Sequence, residues 1–223
     1  MPKPSVTENR IHNRLPVARE GLPFIAAGAA LTLVLSLLAL VVSSALAGLI
    51  TLFVAWFFRD PGRTPPVYDH AVLSPADGKV IAIKQKDENE SLLHIPCLEI
   101  SIFMTIFNVH INRMLAGGRI QSVDYRPGRF FSANLDKASE ENEQNRIIMA
   151  TSDGVRLGVV QVAGLIARRI ACWVKEGDQV APGQRFGLIR FGSRLDVYVP
   201  LDTKINVRAG DKVKAGESIL AYL

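Results

Sequence analysis

The segment Leu22–Phe58 of this 223-residue chain contains no Asp, Glu, Lys, Arg or His. One helix needs about 20 apolar residues to cross the hydrocarbon core of a bilayer, so this segment is almost long enough for two short crossings. The small, weakly polar residues Ser43–Ala45 lie near its middle and suit a turn. We therefore predict a membrane-embedded helical hairpin over residues 22–58, with one long tilted span as the alternative.

Basic residues flank both ends of the apolar segment. Positive charge favours the cytoplasmic side of a membrane, and two cytoplasmic ends require an even number of crossings. The polar tail 1–21 and the residues after the segment therefore predict an anchor in the cell membrane, with the rest of the chain on the cytoplasmic face. No nucleic-acid partner is expected, because no Arg/Lys stripe is interleaved with aromatic residues. The flanking basic residues are Lys3, Arg10, Arg14, Arg19, Arg59 and Arg63.

The remaining chain is predicted to be a linker over 59–70, rich in proline, and a folded domain over 71–223. Short apolar runs in the domain are separated by Gly, Pro and Asp, which is typical of strands. We expect a mainly β (α+β) fold, with a β-sandwich or barrel-like domain and little helix. The charge-rich stretch Leu135–Arg146 predicts a loop or short helix. The predicted strands are Gly78–Ile83, Leu98–Phe107, Ile147–Thr151, Leu157–Val162 and Ile166–Trp173.

An internal repeat lies in the C-terminal part of the chain. The segment 174–189 is echoed by 207–222, with the shared pattern V-x-x-G-D-x-V-x-x-G. The pattern predicts a quasi-duplicated β-hairpin of the kind that biotinyl and lipoyl carrier domains use, and Ser74–Val80 matches the opening strand of those domains. A membrane-tethered carrier or binding module is therefore one alternative function. A carrier displays a lysine between its hairpins, however, and this chain has none between Lys175 and Lys204.

The two cysteines, Cys97 and Cys172, are far apart and form no C-x-x-C pattern. Both lie in apolar, strand-like runs, so we expect buried free thiols and no disulfide. No metal site is predicted.

Gly192 and Ser193 lie between the two repeats, where we predict an exposed turn. Because Gly192 has no side chain, its carbonyl carbon can be approached closely by the Ser193 hydroxyl, which converts the amide into an ester. Elimination across the serine Cα–Cβ bond then leaves dehydroalanine, which hydrolyses to a pyruvoyl group. A Gly-Ser pair is also a common turn. A serine hydrolase that keeps Ser193 as its nucleophile is a further alternative, although a G-x-S-x-G motif is missing.

The serine attack requires a base, which works best when a carboxylate orients it. His110 follows an apolar strand and Asp77 lies at the turn that opens another strand, so both can converge on one site. Ser193, His110 and Asp77 are therefore candidates for a triad that acts on its own chain. A structural histidine and a simple Asp-Gly β-turn are the alternatives.

Several motifs, in the same order, resemble the phosphatidylserine decarboxylase family in its shorter form with an N-terminal membrane segment. The resemblance spans nearly everything from Leu22 onward, and the run from Gln161 to Arg194 is the most distinctive part. The matching residues are Phe57–Pro61, Leu73–Val80, Val109–Arg113, Asn142–Asn145, Gln161–Ile170 and Gly183–Arg194.

The resemblance implies self-cleavage between Gly192 and Ser193 into chains 1–192 and 193–223, which stay together as a heterodimer. Ser193 becomes a covalent pyruvoyl cofactor that forms a Schiff base with phosphatidylserine and releases CO₂, giving phosphatidylethanolamine. Asp77 and His110 fall where the family keeps the aspartate and histidine used for self-processing. His110 is also the candidate proton donor in decarboxylation.

The resemblance leaves the head-group contacts and two family positions open. Many longer members have a second histidine three residues before the one matching His110, but this chain has Phe107 there. His110, water or another group must take its role. The family's Asn-Glu-Arg-Asn is Asn-Glu-Gln-Asn here, with Gln144 in place of the arginine. The candidates to contact the lipid phosphate or carboxylate are Arg113, Arg190 and Arg194.

Overall fold

The computed structural model describes residues 11, 13, 15–131, 141–164, 170–190 and 193–223. It divides the chain into two compact units, Met1–Gly62 and Arg63–Leu223. The predicted cleavage residue Gly192 lies outside the described residues, whereas Ser193 lies within them.

The first unit contains two apolar helices, α1 (Leu22–Leu37) and α2 (Val41–Phe57), and a 3-10 turn (Arg19–Gly21) leads into α1. Together, that turn and α1 form a helix of 19 residues, Arg19–Leu37, that is long and apolar enough to cross a membrane. The α2 helix is equally apolar but shorter. These lengths support association of the N-terminal part of the chain with a membrane.

The turn between the helices lies at Leu38–Leu40, so its predicted position at Ser43–Ala45 is wrong. The α1 helix is capped at its C-terminal end by Ala39, which has a left-handed backbone with a φ of 59°. A 3.0 Å hydrogen bond from Leu40 N to Leu35 O also stabilises this end. Ser44 is inside α2, where its hydroxyl donates to the carbonyl of Val41. A serine bonded in this way is compatible with a helix. The small polar residues of the apolar segment therefore did not indicate the position of the turn between α1 and α2.

The second unit consists of three antiparallel sheets among the described residues, which confirms the prediction of a mainly β domain. The largest sheet has the order β13-β2-β3-β11-β7-β6-β5-β9, and the smaller ones have the orders β4-β10-β8 and β1-β14-β12. The strands are β1 (Ala71–Leu73), β2 (Gly78–Lys86), β3 (Cys97–Met104), β4 (Ile111–Arg113), β5 (Gly118–Arg126), β6 (Gln144–Thr151), β7 (Arg156–Val162), β8 (Ile170–Cys172), β9 (Gln179–Val180), β10 (Arg185–Ile189), β11 (Ser193–Pro200), β12 (Lys204–Ile205), β13 (Lys212–Val213) and β14 (Ile219–Tyr222).

The predicted strands correspond to β2, β3, β6, β7 and β8, with some ends shifted. The start of the last prediction, residues 166–169, lies outside the described residues. The strand predicted to end at Phe107 stops at Met104, because Thr105–Asn108 form a turn closed by a 3.1 Å bond from Asn108 N to Thr105 O. The β5 strand was not predicted because most of its side chains are polar and partly exposed.

The segment that begins at Ser193 is a central strand, and the predicted exposed turn at this residue is wrong. The β11 strand pairs with β3 on one side and with β7 on the other, and only its last residue, Pro200, is not buried. A strand covered on both faces does not show the alternation of polar and apolar residues by which exposed strands are recognised.

The stretch 135–146 was predicted to be a loop or short helix. Residues 132–140 lie outside the described part of the chain, but Gln144–Arg146 begin β6 and pair with β7. Asn142 and Asn145 are buried in spite of their polarity. This part of the prediction is wrong, because the buried side chains are paired with partners far along the chain.

The β4-β10-β8 sheet approaches the large sheet closely at Gly187. A Cβ atom on this glycine would lie 2.4 Å from the carbonyl oxygen of Ala171 and 2.8 Å from Nε2 of Gln161, a β7 residue of the large sheet. The Ala171 oxygen belongs to the backbone of the neighbouring strand β8 and leaves no room for a side chain, so this position requires glycine, and the Gln161 side chain packs against it.

We expect Gly187→Ala to destabilise the folded domain by about 1–3 kcal/mol, because the added methyl group overpacks the contact between the sheets. Gly62→Ala is a matched control, since nothing lies within 4 Å of the Cβ position there. The measurement is the urea unfolding midpoint of each detergent-solubilised variant, followed by Trp173 fluorescence. Equal midpoints for the two variants would contradict the close contact.

Candidate active site

Ser193 is the first residue of β11 and is completely buried, with a relative exposure of 0%. It pairs with Met104, the last residue of β3. The Ser193 hydroxyl donates to the thioether sulfur of Met104 over 3.8 Å. A thioether is a weak acceptor, so the hydroxyl is buried without a strong hydrogen bond to this partner.

Beside Ser193, a chain of buried amides connects the two sheets. Asn112 of β4 directs Nδ2 at the same Met104 sulfur, at 3.9 Å. Its Oδ1 accepts a 2.8 Å hydrogen bond from Nε2 of Gln161, and Oε1 of Gln161 accepts a 2.9 Å bond from Nδ2 of Asn145. All three amide side chains are buried. The chain runs from Asn145 in β6 to the surroundings of Ser193.

The amide chain joins three segments that sequence analysis treated as separate motifs. Asn112 comes from Val109–Arg113, Asn145 from Asn142–Asn145, and Gln161 from the run that leads to Ser193. Sequence reasoning assigned no role to these three side chains. The available signal was the presence of amide residues within apolar strand sequences, where each requires a hydrogen-bond partner.

His110 is buried and lies directly before β4. Its carbonyl oxygen accepts a 3.4 Å hydrogen bond from the backbone N–H of Ile189 in β10. His110 is thus fixed to the small sheet beside Asn112. The meeting of its imidazole with Ser193 or Asp77 stays a prediction.

Asp77 lies directly before β2, with a relative exposure of 9%. Both of its carboxylate oxygens accept from Nη2 of Arg63, the shorter distance being 2.9 Å, and Oδ1 also accepts from the backbone N–H of Ala215 at 2.8 Å. Arg63, which the sequence assigned to the linker, also donates to Glu217 at 2.9 Å. Asp77 is therefore held in one position by two other parts of the same unit.

The three candidate head-group arginines differ in their surroundings. Arg113 is buried and donates to the carbonyl of Gly183 at 3.0 Å. Arg194 is buried and forms an ion pair of 2.9 Å with Asp196. Arg190, which follows β10, is only partly buried. The first two thus have structural partners within the domain, while Arg190 is the most accessible of the three.

Burial perturbs the acidic groups around Arg194. Burial raises the pKa of Asp196, while the nearby Arg194 guanidinium opposes that rise. Burial also raises the pKa of Tyr198, whose hydroxyl donates to Glu99 at 2.8 Å, and the negative charge of Glu99 adds to the effect. The Tyr198 hydroxyl therefore remains protonated and does not act as a base at neutral pH.

A cavity of about 630 Å³ is lined by Asp196, Tyr198 and a mixture of acidic and basic side chains. Alternate residues of a strand point to opposite faces, so this cavity lies on the side of β11 opposite the Ser193 side chain. Ser193 and His110 do not line it. We assign the cavity no part in chemistry at Ser193.

Both cysteines are free, as predicted. Cys97 is buried but Cys172 is only half-buried, and burial raises the pKa of both thiols. Within the described ranges, no group of three or more His, Cys, Asp and Glu side chains could hold a metal ion.

We expect Arg63→Met to destabilise the second unit by on the order of 2 kcal/mol, because the largely buried Asp77 carboxylate loses its charged donor. Glu217→Gln is the matched control, since it alters the more exposed partner of Arg63 and is expected to change stability by less than about 1 kcal/mol. Urea unfolding of both variants measures the two changes in stability. The pairing with Asp77 would be refuted if the two changes were equal.

Comparison with known proteins matches most of the chain to one family. The family model described as phosphatidylserine decarboxylase matches residues 50–221. The phosphatidylserine decarboxylase proenzyme of Syntrophus aciditrophicus (strain SB) is 54% identical over 206 residues, covering 92% of this chain and 96% of the relative. The proenzyme of the same name from Geotalea uraniireducens (strain Rf4) is 51% identical over 208 residues, covering 93% and 97%.

A third relative, the phosphatidylserine decarboxylase proenzyme of Desulfotalea psychrophila (strain LSv54 / DSM 12343), is 47% identical over 210 residues, covering 94% of this chain and 98% of the relative. Neither the family match nor these relatives support the carrier-domain alternative. The family match covers the strands of the second unit, apart from the last residue of β14, and it includes Ser193, His110 and Asp77. The chain belongs to the phosphatidylserine decarboxylase family.

Proposed function

We propose that this chain is a phosphatidylserine decarboxylase that makes its own pyruvoyl group by cleaving the bond between Gly192 and Ser193. The observation that carries the proposal is the burial of the Ser193 hydroxyl at the start of a central strand, next to a weak sulfur acceptor. Among the described residues, the recorded hydrogen-bond partner of this hydroxyl is the weak Met104 acceptor, which competes little with attack on the preceding carbonyl. The "proenzyme" in the names of the relatives supports such processing.

Self-cleavage begins when a base removes the proton from the Ser193 hydroxyl and the oxygen attacks the preceding carbonyl carbon. The C–N bond breaks as the C–O bond forms, which gives an ester and a free amino group. Removal of the Cα proton then expels the carboxylate and leaves dehydroalanine, which water converts to the keto group with loss of ammonia. We assign the base to His110 and its orientation to Asp77.

The surroundings of Ser193 suit a covalent group at this position. The residue is completely buried where β11 pairs with β3, and the Met104 sulfur that its hydroxyl contacts is also contacted by the amide of Asn112. A pyruvoyl group supplies an electron sink for the carbanion that forms as CO₂ leaves an amino acid head group. His110 is the candidate to deliver the proton, since a histidine can give or take a proton near neutral pH.

The two cleavage products are proposed to remain together as a heterodimer. The short product, 193–223, begins with β11, which pairs with β3 and β7 of the long product. Its last strand, β14, pairs with β1. Separating the products would break both sets of backbone hydrogen bonds and expose the core, so cleavage of one peptide bond does not release the short chain.

We place the enzyme at the cytoplasmic face of the cell membrane, anchored by α1 and α2 as a hairpin. Support comes from the apolar helix Arg19–Leu37 and from the basic residues on both sides of the apolar segment. A diacyl lipid does not leave a bilayer readily, since each buried CH₂ contributes about 0.8 kcal/mol. An anchored enzyme needs to reach only the head group.

Arg190 is the arginine we favour for contact with the phosphate or carboxylate of the head group, because it is the most accessible of the three candidates.

Phe107, at the position where longer family members have histidine, is 63% exposed. It cannot donate a proton, so decarboxylation here is proposed to rely on His110 or on water.

We also infer that the two repeats are structural copies. Gly177 and Gly210 have φ angles of 88° and 103°, and Gly183 and Gly216 have φ angles of 67° and 71°. In each copy, the aspartate after the first glycine accepts from the backbone N–H three residues earlier, at 2.9 and 3.0 Å. These matched turns support an internal duplication. The predicted hairpins are not formed, because in each copy the first strand (β9 or β13) belongs to the large sheet and the second (β10 or β14) to a small one.

The purified wild-type protein is expected to contain two fragments, and the short one is expected to begin with pyruvoyl in place of Ser193. Ser193→Ala is expected to give a single full-length chain that releases no CO₂ from phosphatidylserine, because the attacking hydroxyl is missing. Intact-mass spectrometry and a CO₂-release assay on vesicles measure these outcomes. Ser122→Ala, in β5, is the control and should be cleaved normally. An active, uncleaved wild-type chain would refute the proposal.

His110→Ala is expected to block self-cleavage or to slow it by about 10²–10⁴-fold, because a positioned base contributes a factor of that size. The measurement is the rate at which the short fragment appears after synthesis of the chain. Exposed His94 serves as the control position, and His94→Ala should be processed at the parental rate. Normal maturation of His110→Ala would exclude His110 as the base.

A further inference from the structure

We propose that Asn112 is a catalytic residue of self-cleavage, whose side-chain N–H donates a hydrogen bond to Oγ of Ser193 as negative charge develops on that oxygen. This inference rests on the proposed cleavage before Ser193 and adds a residue to it. Resemblance to the family assigned the processing roles to Asp77 and His110 only.

The orientation of the Asn112 amide is determined by its neighbours. Oδ1 accepts the 2.8 Å hydrogen bond from Gln161, and the amide of Gln161 is in turn oriented because its Oε1 accepts from Asn145. A flipped Asn112 would present its NH₂ group to the NH₂ group of Gln161. The amide chain therefore turns the NH₂ group of Asn112 away from Gln161 and toward the Met104 sulfur, the atom that the Ser193 hydroxyl also contacts.

The two groups share one weak acceptor. Asn112 Nδ2 lies 3.9 Å from the Met104 sulfur, and Ser193 Oγ lies 3.8 Å from the same atom. All three residues are completely buried. An amide donor in such a place is poorly satisfied by a thioether before the reaction, and it gains a much stronger partner once an oxygen beside it becomes negative.

The elimination step is where this donor matters most. A base takes the Cα proton of Ser193, the Oγ–Cβ bond breaks, and its electron pair leaves on Oγ, which becomes part of a carboxylate. An Asn112 N–H that donates to Oγ stabilises this charge more than it stabilises the neutral ester, and the low polarity of the buried site strengthens the interaction. The step needs no oxidant or reductant.

Asn112→Asp separates the catalytic role from the structural one. The aspartate side chain has the same shape and still accepts from Gln161, but it has no N–H to donate. We expect elimination to slow by roughly 10²–10³-fold, the usual effect of removing one such donor, so that the ester accumulates. Hydroxylamine cleaves esters, and it should release a short fragment that begins with an unmodified Ser193. Mass spectrometry distinguishes this fragment from the pyruvoyl product.

Asn145→Ala is the matched control, because it removes a buried amide from the other end of the same chain. It is expected to lower the thermal unfolding temperature without accumulation of ester. If Asn112→Asp does not fold, Asn112→Ala is compared with Asn145→Ala at equal folded fraction. Equal cleavage rates in these two, or pyruvoyl formation by Asn112→Asp at the parental rate, would overturn the role of Asn112. A wild-type chain that is not cleaved would instead overturn the proposed function.

Discussion

The hydrogen bond between Gln161 of the large sheet and Asn112 of the β4-β10-β8 sheet is the interaction on which the site depends. Two polar side chains are buried between sheets here. They bond to each other, Gln161 also accepts from Asn145, and Asn112 also contacts the Met104 sulfur. Low polarity around such a chain strengthens each hydrogen bond, but it also increases the loss of folding free energy when one partner is missing. The close approach at Gly187 brings the sheets near enough for this bond to form. His110 and Ser193 belong to the two sheets that it connects.

The position of Ser193 is compatible with the proposed self-cleavage, because the strand that it begins is held on both sides. The residue begins a strand that is paired on both sides, so the backbone after it is held by β3 and β7 whether or not the preceding bond is intact. A reactive residue in an exposed turn would be open to water at each step. Burial at the end of a central strand provides a dry and ordered place for the proposed acyl shift and elimination.

Asp77 shows how the remaining parts of the unit are connected to this region. Its carboxylate is bound by Arg63, at the start of the second unit, and by the backbone of Ala215, close to the C terminus. Residues from both ends of the folded domain thus determine the position of one carboxylate. This arrangement of the carboxylate can form only after the domain has folded.

The sequence by itself determined the apolar N-terminal segment, the mainly β character of the domain and the family, because these depend on contiguous residues and on ordered motifs. It also singled out Ser193, His110 and Asp77 as candidates. Only the tertiary structure decided that Ser193 is buried in a central strand, that the helices turn at Leu38–Leu40, and that Asn112 and Gln161 are bonded. Those two amides are 49 residues apart in the chain. Their pairing depends on how sheets pack, and local patterns carry no record of which distant side chains satisfy each other.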